Sequence, residues 1–155
     1  PTGHGMETIK DMAAFIKETP YSIGFTEFSH VIKNSLKYVR LKNRAGEFIK
    51  PSPDSIAAAA RNATWAADNG FYNELTDGAG TGTWPMTSAS FVLLRKVSDK
   101  PEHSRETLKF FNWVLRVGQL SAIQGDFMPL PDAVSATVRS SWKGIVDQQG
   151  VPVWQ

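Results

Sequence analysis

A strand-like run near the middle of the chain constrains the fold most strongly. Residues 90–94 (SFVLL) crowd aromatic and β-branched side chains into a continuous apolar run, within the longer stretch 77–96 (DGAGTGTWPMTSASFVLLRK). A continuous rather than alternating apolar run is typical of a strand buried on both faces by helices. The sequence therefore predicts a buried strand at 90–94, serving as a structural crossing rather than as a functional site.

Helical patterns lie on both sides of this run, and short strand signals lie among them. Turn-forming residues at 43–46 predict a hairpin between 38–41 and 47–49, and a short strand is predicted at 22–25. The helices are predicted at residues 7–18, 27–35, 55–61, 101–117 and 132–145, with a short further turn at 120–123. Short strands among well-formed helices indicate an α/β fold.

Composition excludes several classes of protein. The chain has 155 residues, enough for one domain or two small lobes, and its net charge is only +2. Like charges do not cluster into a run of five, which argues against a nucleic-acid tail or a polybasic membrane patch. The absence of cysteine excludes disulfides, thiol catalysis and cysteine-ligated metals. No apolar stretch approaches a transmembrane helix and no signal peptide opens the chain, and because Pro1 is not an initiator Met we expect a processed or cut N-terminus.

The three histidines are the first candidates for catalysis or metal binding. His4 lies in a Gly-His-Gly turn, His30 in the middle of a predicted helix and His103 near the start of another. None has a second histidine or a carboxylate at i+4, which a helix-borne metal site requires. We expect no metal ligand or general base among them, and for His30 and Glu27 we expect a surface contact.

The glycine-rich loop 78–83 (GAGTGT) has the composition of a phosphate cradle, because glycines let backbone N–H groups face an anion. A phosphate-binding loop normally opens a helix, whose dipole supports the anion. Here Trp84-Pro85 and a strand-like run follow instead. We therefore predict a flexible surface connection.

The remaining polar and aromatic candidates carry no catalytic pattern. Linear spacing cannot show an acid–base pair among the scattered carboxylates, and the nucleophile motifs Gly-x-Ser-x-Gly and Ser-x-x-Lys are absent. The carboxylates are Glu74, Asp77, Asp99, Glu102, Asp126 and Asp132. The aromatic residues are predicted to be core rather than ligand platform, and they are Trp65, Trp84, Phe110, Phe111, Trp113 and Trp142. From residues alone, we therefore expect an α/β domain that is not an enzyme, with no catalytic or metal site, and its function stays undeclared.

Six stretches, in order and in register, resemble the phosphate-specific substrate-binding proteins of bacterial ABC transporters, the PstS family. They are 21–28 (YSIGFTEF), 41–51 (LKNRAGEFIKP), 83–93 (TWPMTSASFVL), 108–113 (LKFFNW), 128–134 (MPLPDAV) and 138–143 (VRSSWK). The family usually has a Gly-Asn-acidic-Gly run after the position of Gly5, whereas this chain has Glu7 to Asp11 (ETIKD). The resemblance is therefore to a divergent C-terminal part of the family, and it leaves the exact anion preference open.

The resemblance implies a type II periplasmic binding protein-like fold of two α/β lobes. Residues 1–88 would be the remainder of one lobe, and residues 89–155 the crossing strand and the C-terminal helices that complete the other. It implies capture of inorganic phosphate between the lobes without metal or cofactor, and delivery to ABC transporter permease subunits. The implied location is the periplasm, or the cell exterior as a membrane-anchored lipoprotein in organisms without an outer membrane.

The family's ligand-bearing segments, an arginine and a Ser-Gly-Thr loop among them, lie upstream of where this chain begins, so no residue here is carried over as a ligand. Two alternatives remain open. One is an interaction or scaffold module that kept the fold and lost transport, and the other is a phosphatase acting through His4 or His30.

Overall fold

The computed structural model describes residues 3–125 and 127–155. The chain divides into two compact units, Pro1–Arg40 and Leu41–Gln155, and each is described by itself. The helices of the described residues are α1 (Ile9–Glu18), α2 (Phe28–Lys33), α3 (Pro53–Asn62), α4 (Pro101–Arg116), α5 (Gln119–Gln124) and α6 (Asp132–Ser141), the last continued by a 3₁₀ turn (Trp142–Gly144). Their strands are β1 (Leu41–Lys42), β2 (Phe48–Ile49), β3 (Val97–Ser98) and β4 (Val146–Asp147). The described chain thus mixes helix and sheet, as predicted.

In the first unit, the predicted helix is confirmed as α1, which begins two residues later than predicted, at Ile9. The Thr8 hydroxyl accepts a hydrogen bond from the Asp11 N–H at 3.1 Å, which satisfies one of the free donors of the first turn. The short strand predicted at 22–25 is wrong. Residues 22–25 pair with no strand in the described part of the chain, and the side chains of Ile23 and Phe25 are exposed.

The second unit opens with the predicted hairpin. Strands β1 and β2 pair antiparallel with Leu41 opposite Ile49, and Gly46 turns the chain at a φ of +87°. Helix α3 follows at once, with Ser52 and Ser55 forming a reciprocal capping box and Pro53 in the first turn. Its alanine face, residues 58–60, is buried. The hairpin and α3 are therefore confirmed.

The strand predicted at residues 90–94 is wrong. These residues adopt no strand, and Phe91, Val92 and Leu93 are exposed, Leu93 to 92%. The regular strand begins only at Val97, where β3 pairs parallel with β4. A strand requires a neighbour for its N–H and C=O groups, and within residues 3–125 and 127–155 no segment lies in register beside 90–94.

The core of the second unit lies between α4 and the C-terminal segment. Leu108 is fully buried and forms a cluster with Trp142 and Val153. Phe111, Leu115, Val138, Ile145 and Trp154 pack against that cluster. The Val153 N–H donates to the Ile145 carbonyl at 3.0 Å, so the end of the chain is tied to the same core.

No helix among the described residues is both long enough and apolar enough to cross a membrane.

Candidate functional site: a carboxylate in the glycine-rich loop

The glycine-rich loop 78–83 is the candidate site that the structure defines best. Hydrogen bonds to the β1–β2 hairpin and to α3 hold it in place. Trp84, directly after it, donates its backbone N–H to the Ser55 carbonyl of α3 at 3.0 Å. Thr83 is fully buried, whereas Ala79 and Thr81 are exposed. The loop lies at the surface as predicted, but it is anchored, so the expectation of a flexible connection is wrong.

Glu47, directly before β2, places a carboxylate on the loop. Its Oε2 accepts the Gly82 N–H at 2.7 Å and the Asn43 side-chain amide at 3.1 Å. The hairpin turn brings Asn43 and Glu47 together, because the Glu47 N–H donates to Asn43 Oδ1 at 2.9 Å and the Asn43 N–H donates to the Glu47 carbonyl at 2.9 Å. The hairpin thus presents one carboxylate to the loop amide.

Asn43 connects the hairpin to the end of the loop. Its side chain is buried, and Nδ2 donates both to Glu47 Oε2 and to the Thr83 carbonyl at 3.3 Å. A buried polar group costs free energy unless it is hydrogen-bonded. Asn43 therefore couples the turn that carries Glu47 to the buried end of the glycine-rich loop.

Asn62, the last residue of α3, supports the loop from the other side. Its Nδ2 donates to Thr83 Oγ1 at 2.9 Å and to the Thr81 carbonyl at 3.4 Å. Gly80 has a φ of +104°, and a Cβ there would overlap the Asn62 side chain. Glycine at position 80 is needed both for its backbone conformation and for the close approach of Asn62.

These hydrogen bonds change the pKa of Glu47. The hydrogen bond from the Gly82 amide, and secondarily that from Asn43, holds the pKa of the Glu47 carboxyl below its ordinary value, and partial burial opposes this effect weakly. A carboxylate that accepts N–H bonds is favoured in its charged form. An external anion at the Gly82 amide would have to displace this charged carboxylate, so the loop carries its own internal anion.

The three histidines are divided between the two units, with His4 and His30 in the first and His103 in the second. The His4 ring lies against the Phe15 ring with centroids 5.3 Å apart, in the first unit. His30 donates its backbone N–H to the Glu27 carbonyl at 3.0 Å, and the His103 carbonyl accepts the Thr107 hydroxyl at 2.8 Å. In the described part of the chain, no group of three or more histidines and carboxylates is placed to hold a metal ion.

Three of the six scattered carboxylates face basic or amide groups. Asp99 lies 3.7 Å from Arg95, and Glu102 accepts two hydrogen bonds from Arg105, at 2.7 and 2.9 Å. Gln119 donates to Asp132 at 3.5 Å. Glu74 and Asp77 are exposed, and Asp126 lies outside the described residues. Exposed ion pairs of this kind contribute little to stability.

The predicted aromatic core is only partly correct. Trp142 is buried and its ring meets that of Trp154 edge to face with centroids 5.4 Å apart. Trp65, half-buried, donates its indole N–H to the Ala60 carbonyl of α3 at 2.8 Å. Trp84 and Phe111 are also half-buried, but Phe110 and Trp113 are exposed.

Asn43, Glu47 and Asn62 are the site residues that reasoning from sequence missed. In the sequence, Asn43 is only part of a turn signal, and nothing in the linear spacing relates Glu47 to Gly82, 35 positions away. The local signal is an Asx turn followed by an acidic residue, which alone does not identify the backbone group that the carboxylate binds.

Comparison with known proteins finds similar sequences among curated proteins. No family model matches it. It is 38% identical, over its whole length, to the phosphate-binding protein PstS of Pasteurella multocida (strain Pm70), and 39% identical over 92% of its length to that of Haemophilus influenzae (strain Rd). The PstS protein of Xylella fastidiosa (strain Temecula1) is 32% identical over the same share. This chain is similar to these PstS proteins over most or all of its own length.

The chain spans less than half the length of these PstS relatives, at 45%, 42% and 39% respectively. The resemblance to the PstS family is therefore confirmed, and a periplasmic binding protein-like fold follows from it, in keeping with the mixed helix and sheet of the structure. The three relatives are named as binding proteins rather than as enzymes.

Proposed function

We propose that this chain supplies the C-terminal part of a PstS-type protein that captures inorganic phosphate between two lobes and delivers it to the permease subunits of an ABC transporter. The observation that carries the proposal is the 38% identity, over the entire chain, to a relative named as a phosphate-binding protein. The scaffold alternative has no observation in its favour. In this role the chain is a binding-protein component without enzymatic activity, cofactor or nucleic-acid partner.

In the proposed whole protein, the lobes follow the type II arrangement. Residues 1–88 belong to one lobe and residues 89–155 complete the other, with the chain crossing between them near residues 87–90. The division of the structure at residue 40 separates compact units and does not test this lobe boundary. The proposed location is the periplasm, or the outside of the cell as an anchored lipoprotein where no outer membrane exists.

The proposed ligand residues lie in the part of the family that this chain does not span. We therefore expect the 155-residue chain alone to bind phosphate no more tightly than millimolar in calorimetric titration, with sulfate as the control anion. Micromolar affinity of the isolated chain for phosphate would contradict this placement of the ligand residues.

The transport role is tested with a chimera, defined as the P. multocida relative in which this chain replaces the region that it matches. We expect the chimera to bind phosphate with an affinity close to that of the parent relative, because the replaced region supplies framework rather than ligands. A chimera that is folded by circular dichroism but fails to bind phosphate would overturn the proposed function.

A further inference from the structure

Helix α4 carries two apolar faces on opposite sides. Leu108, Phe111 and Leu115, spaced i, i+3 and i+7, face the core of the second unit. Phe110 follows Leu108 by two positions, and Trp113 follows Phe111 by two positions. Two positions correspond to about 200° around the helix axis. A helix with apolar residues on opposite sides is typical of a position between two packed layers rather than at a surface.

The second apolar face of α4 has no cover within the described residues. Phe110 is 56% exposed and Trp113 is 49% exposed, although their rings lie only 6.2 Å apart between centroids. Val117, directly after the helix, is 64% exposed. Large aromatic side chains contribute most to a fold when they are buried, so this face is unusual for a free surface.

Exposed apolar side chains also occur in α5. Leu120 and Ile123 of α5 are exposed, and α5 packs against α4. Gly118 joins the two helices, and a Cβ there would meet the backbone of Val114 at 2.8 Å, so the junction is close-packed. We call Phe110, Trp113, Val117, Leu120 and Ile123 the outer face. Exposed apolar side chains gathered on two adjoining helices are typical of an interaction site.

A groove lies beside Trp113 and Val117 of the outer face. It has a volume of about 280 Å³ and is lined by Asn112, Trp113, Arg116 and Val117. The backbone holds this region firmly, because the Trp113 carbonyl accepts the N–H groups of both Val117, at 2.8 Å, and Gly118, at 3.1 Å. Groove and outer face together present aromatic and aliphatic side chains beside one guanidinium and one amide.

We propose that the outer face is an internal interface, covered by the part of a PstS-type protein that this chain does not span. The relatives extend well beyond the matched region, since this chain corresponds to only 39–45% of their length. A second, separate feature agrees with this occupant. The exposed run 90–94 has the side chains of a strand buried on both faces and pairs with no strand among the described residues. This inference rests on the proposed place of the chain in the family.

The absence of native cysteine makes the test direct. We would introduce Trp113→Cys or Val117→Cys into the isolated chain and into the chimera, with the parent relative's own cysteines, if any, replaced by serine. Gln148→Cys, at an exposed turn of the same unit, is the matched control. Burial suppresses thiol reactivity, so we expect labelling at 113 and 117 to be at least roughly tenfold slower in the chimera than in the isolated chain, with no such change at 148.

Equal labelling rates at 113 and 117 in a folded chimera and in the isolated chain would overturn the inference. Protection that appears in the isolated chain as its concentration rises, with dimers in sedimentation analysis, would identify a second copy as the occupant and would overturn it as well. Phosphate binding is measured on the same chimera. If the thiols at 113 and 117 are protected but the chimera does not bind phosphate, the inference holds and the proposed function is contradicted. If the chimera binds phosphate but these thiols are not protected, the proposed function holds and the inference is contradicted.

Discussion

At the scale of single residues, the second unit relies on one charged contact that connects its hairpin to its glycine-rich loop. The Glu47 carboxylate accepts the Gly82 N–H and the Asn43 amide, while Asn43 and Asn62 hold Thr83. Hydrogen bonds to a charged group are shorter and stronger than neutral ones. The same bonds that lower the pKa of Glu47 therefore connect segments that are far apart in the sequence.

The Glu47 contact predicts a specific dependence of stability on pH. Because the pKa of Glu47 is lower in the folded state than its ordinary value of 4.5, the carboxylate stabilises the fold above that value. This contribution is lost as the pH falls through the lowered pKa. We expect the urea midpoint of the wild type to fall more steeply than that of Glu47→Gln as the pH falls below about 4.5.

The control is Glu74→Gln, which removes the same charge at an exposed carboxylate. If Glu47→Gln and the wild type lose stability in parallel throughout the acid range, the carboxylate does not carry the contact described here.

Two glycines of the loop provide a matched pair. Gly80 and Gly82 both have positive φ, at +104° and +69°, but only at Gly80 would a Cβ overlap Asn62. We expect Gly82→Ala to cost about 1–2 kcal/mol from backbone strain alone. Gly80→Ala should cost more, because it also displaces the Asn62 hydrogen bonds. Urea unfolding of both variants measures the difference, and equal losses would show that the contact with Asn62 does not matter.

At the scale of elements, the predicted helices agree with the structure because their signals are local. The Thr8 cap, the capping box at Ser52 and the proline in the first turn of α4 each act within a few residues of their own helix. The strands predicted at 22–25 and 90–94 failed because a strand also needs a partner. Side-chain pattern alone does not supply one.

The two sides of α4 should respond differently to truncation in the isolated chain. Leu108→Ala removes a fully buried side chain of the core and should cost about 2–5 kcal/mol. Phe110→Ala on the outer face should change the free energy of unfolding by no more than about 0.5 kcal/mol. Chemical denaturation measures both, and a large loss with Phe110→Ala would mean that the outer face is already packed in the isolated chain.

At the scale of the whole molecule, the proposed crossing between lobes lies at residues 87–90. Thr87 is buried, and its hydroxyl donates to the Trp84 carbonyl at 3.0 Å. Ser90 is exposed, so the stretch begins at an anchored residue and ends at the surface. This placement suits a segment that bends as two lobes close, which is a mechanical rather than a ligand-binding role.

Proline at position 89 tests the mechanical role. Ala89→Pro fixes φ at 89 and restricts residue 88, so we expect it to weaken phosphate binding by the chimera, because lobe closure is impaired. The control is Thr81→Ala in the exposed part of the glycine-rich loop, which should leave the affinity near that of the unchanged chimera. Phosphate affinity by calorimetry decides between them, and an Ala89→Pro chimera that binds normally would refute a hinge at this position.

The sequence by itself determined the α/β character, the helices, the hairpin and, through six stretches in register, the family. These follow from capping residues, turn residues and side-chain periodicity, which act over short distances along the chain. Only the tertiary structure decided that Glu47 binds the Gly82 amide of the loop and that Phe110 and Trp113 lie outside the core formed around Leu108. It alone also decided that 90–94 has no strand partner among the described residues. Each of these depends on which distant segment comes to lie alongside, and no local pattern encodes that neighbour.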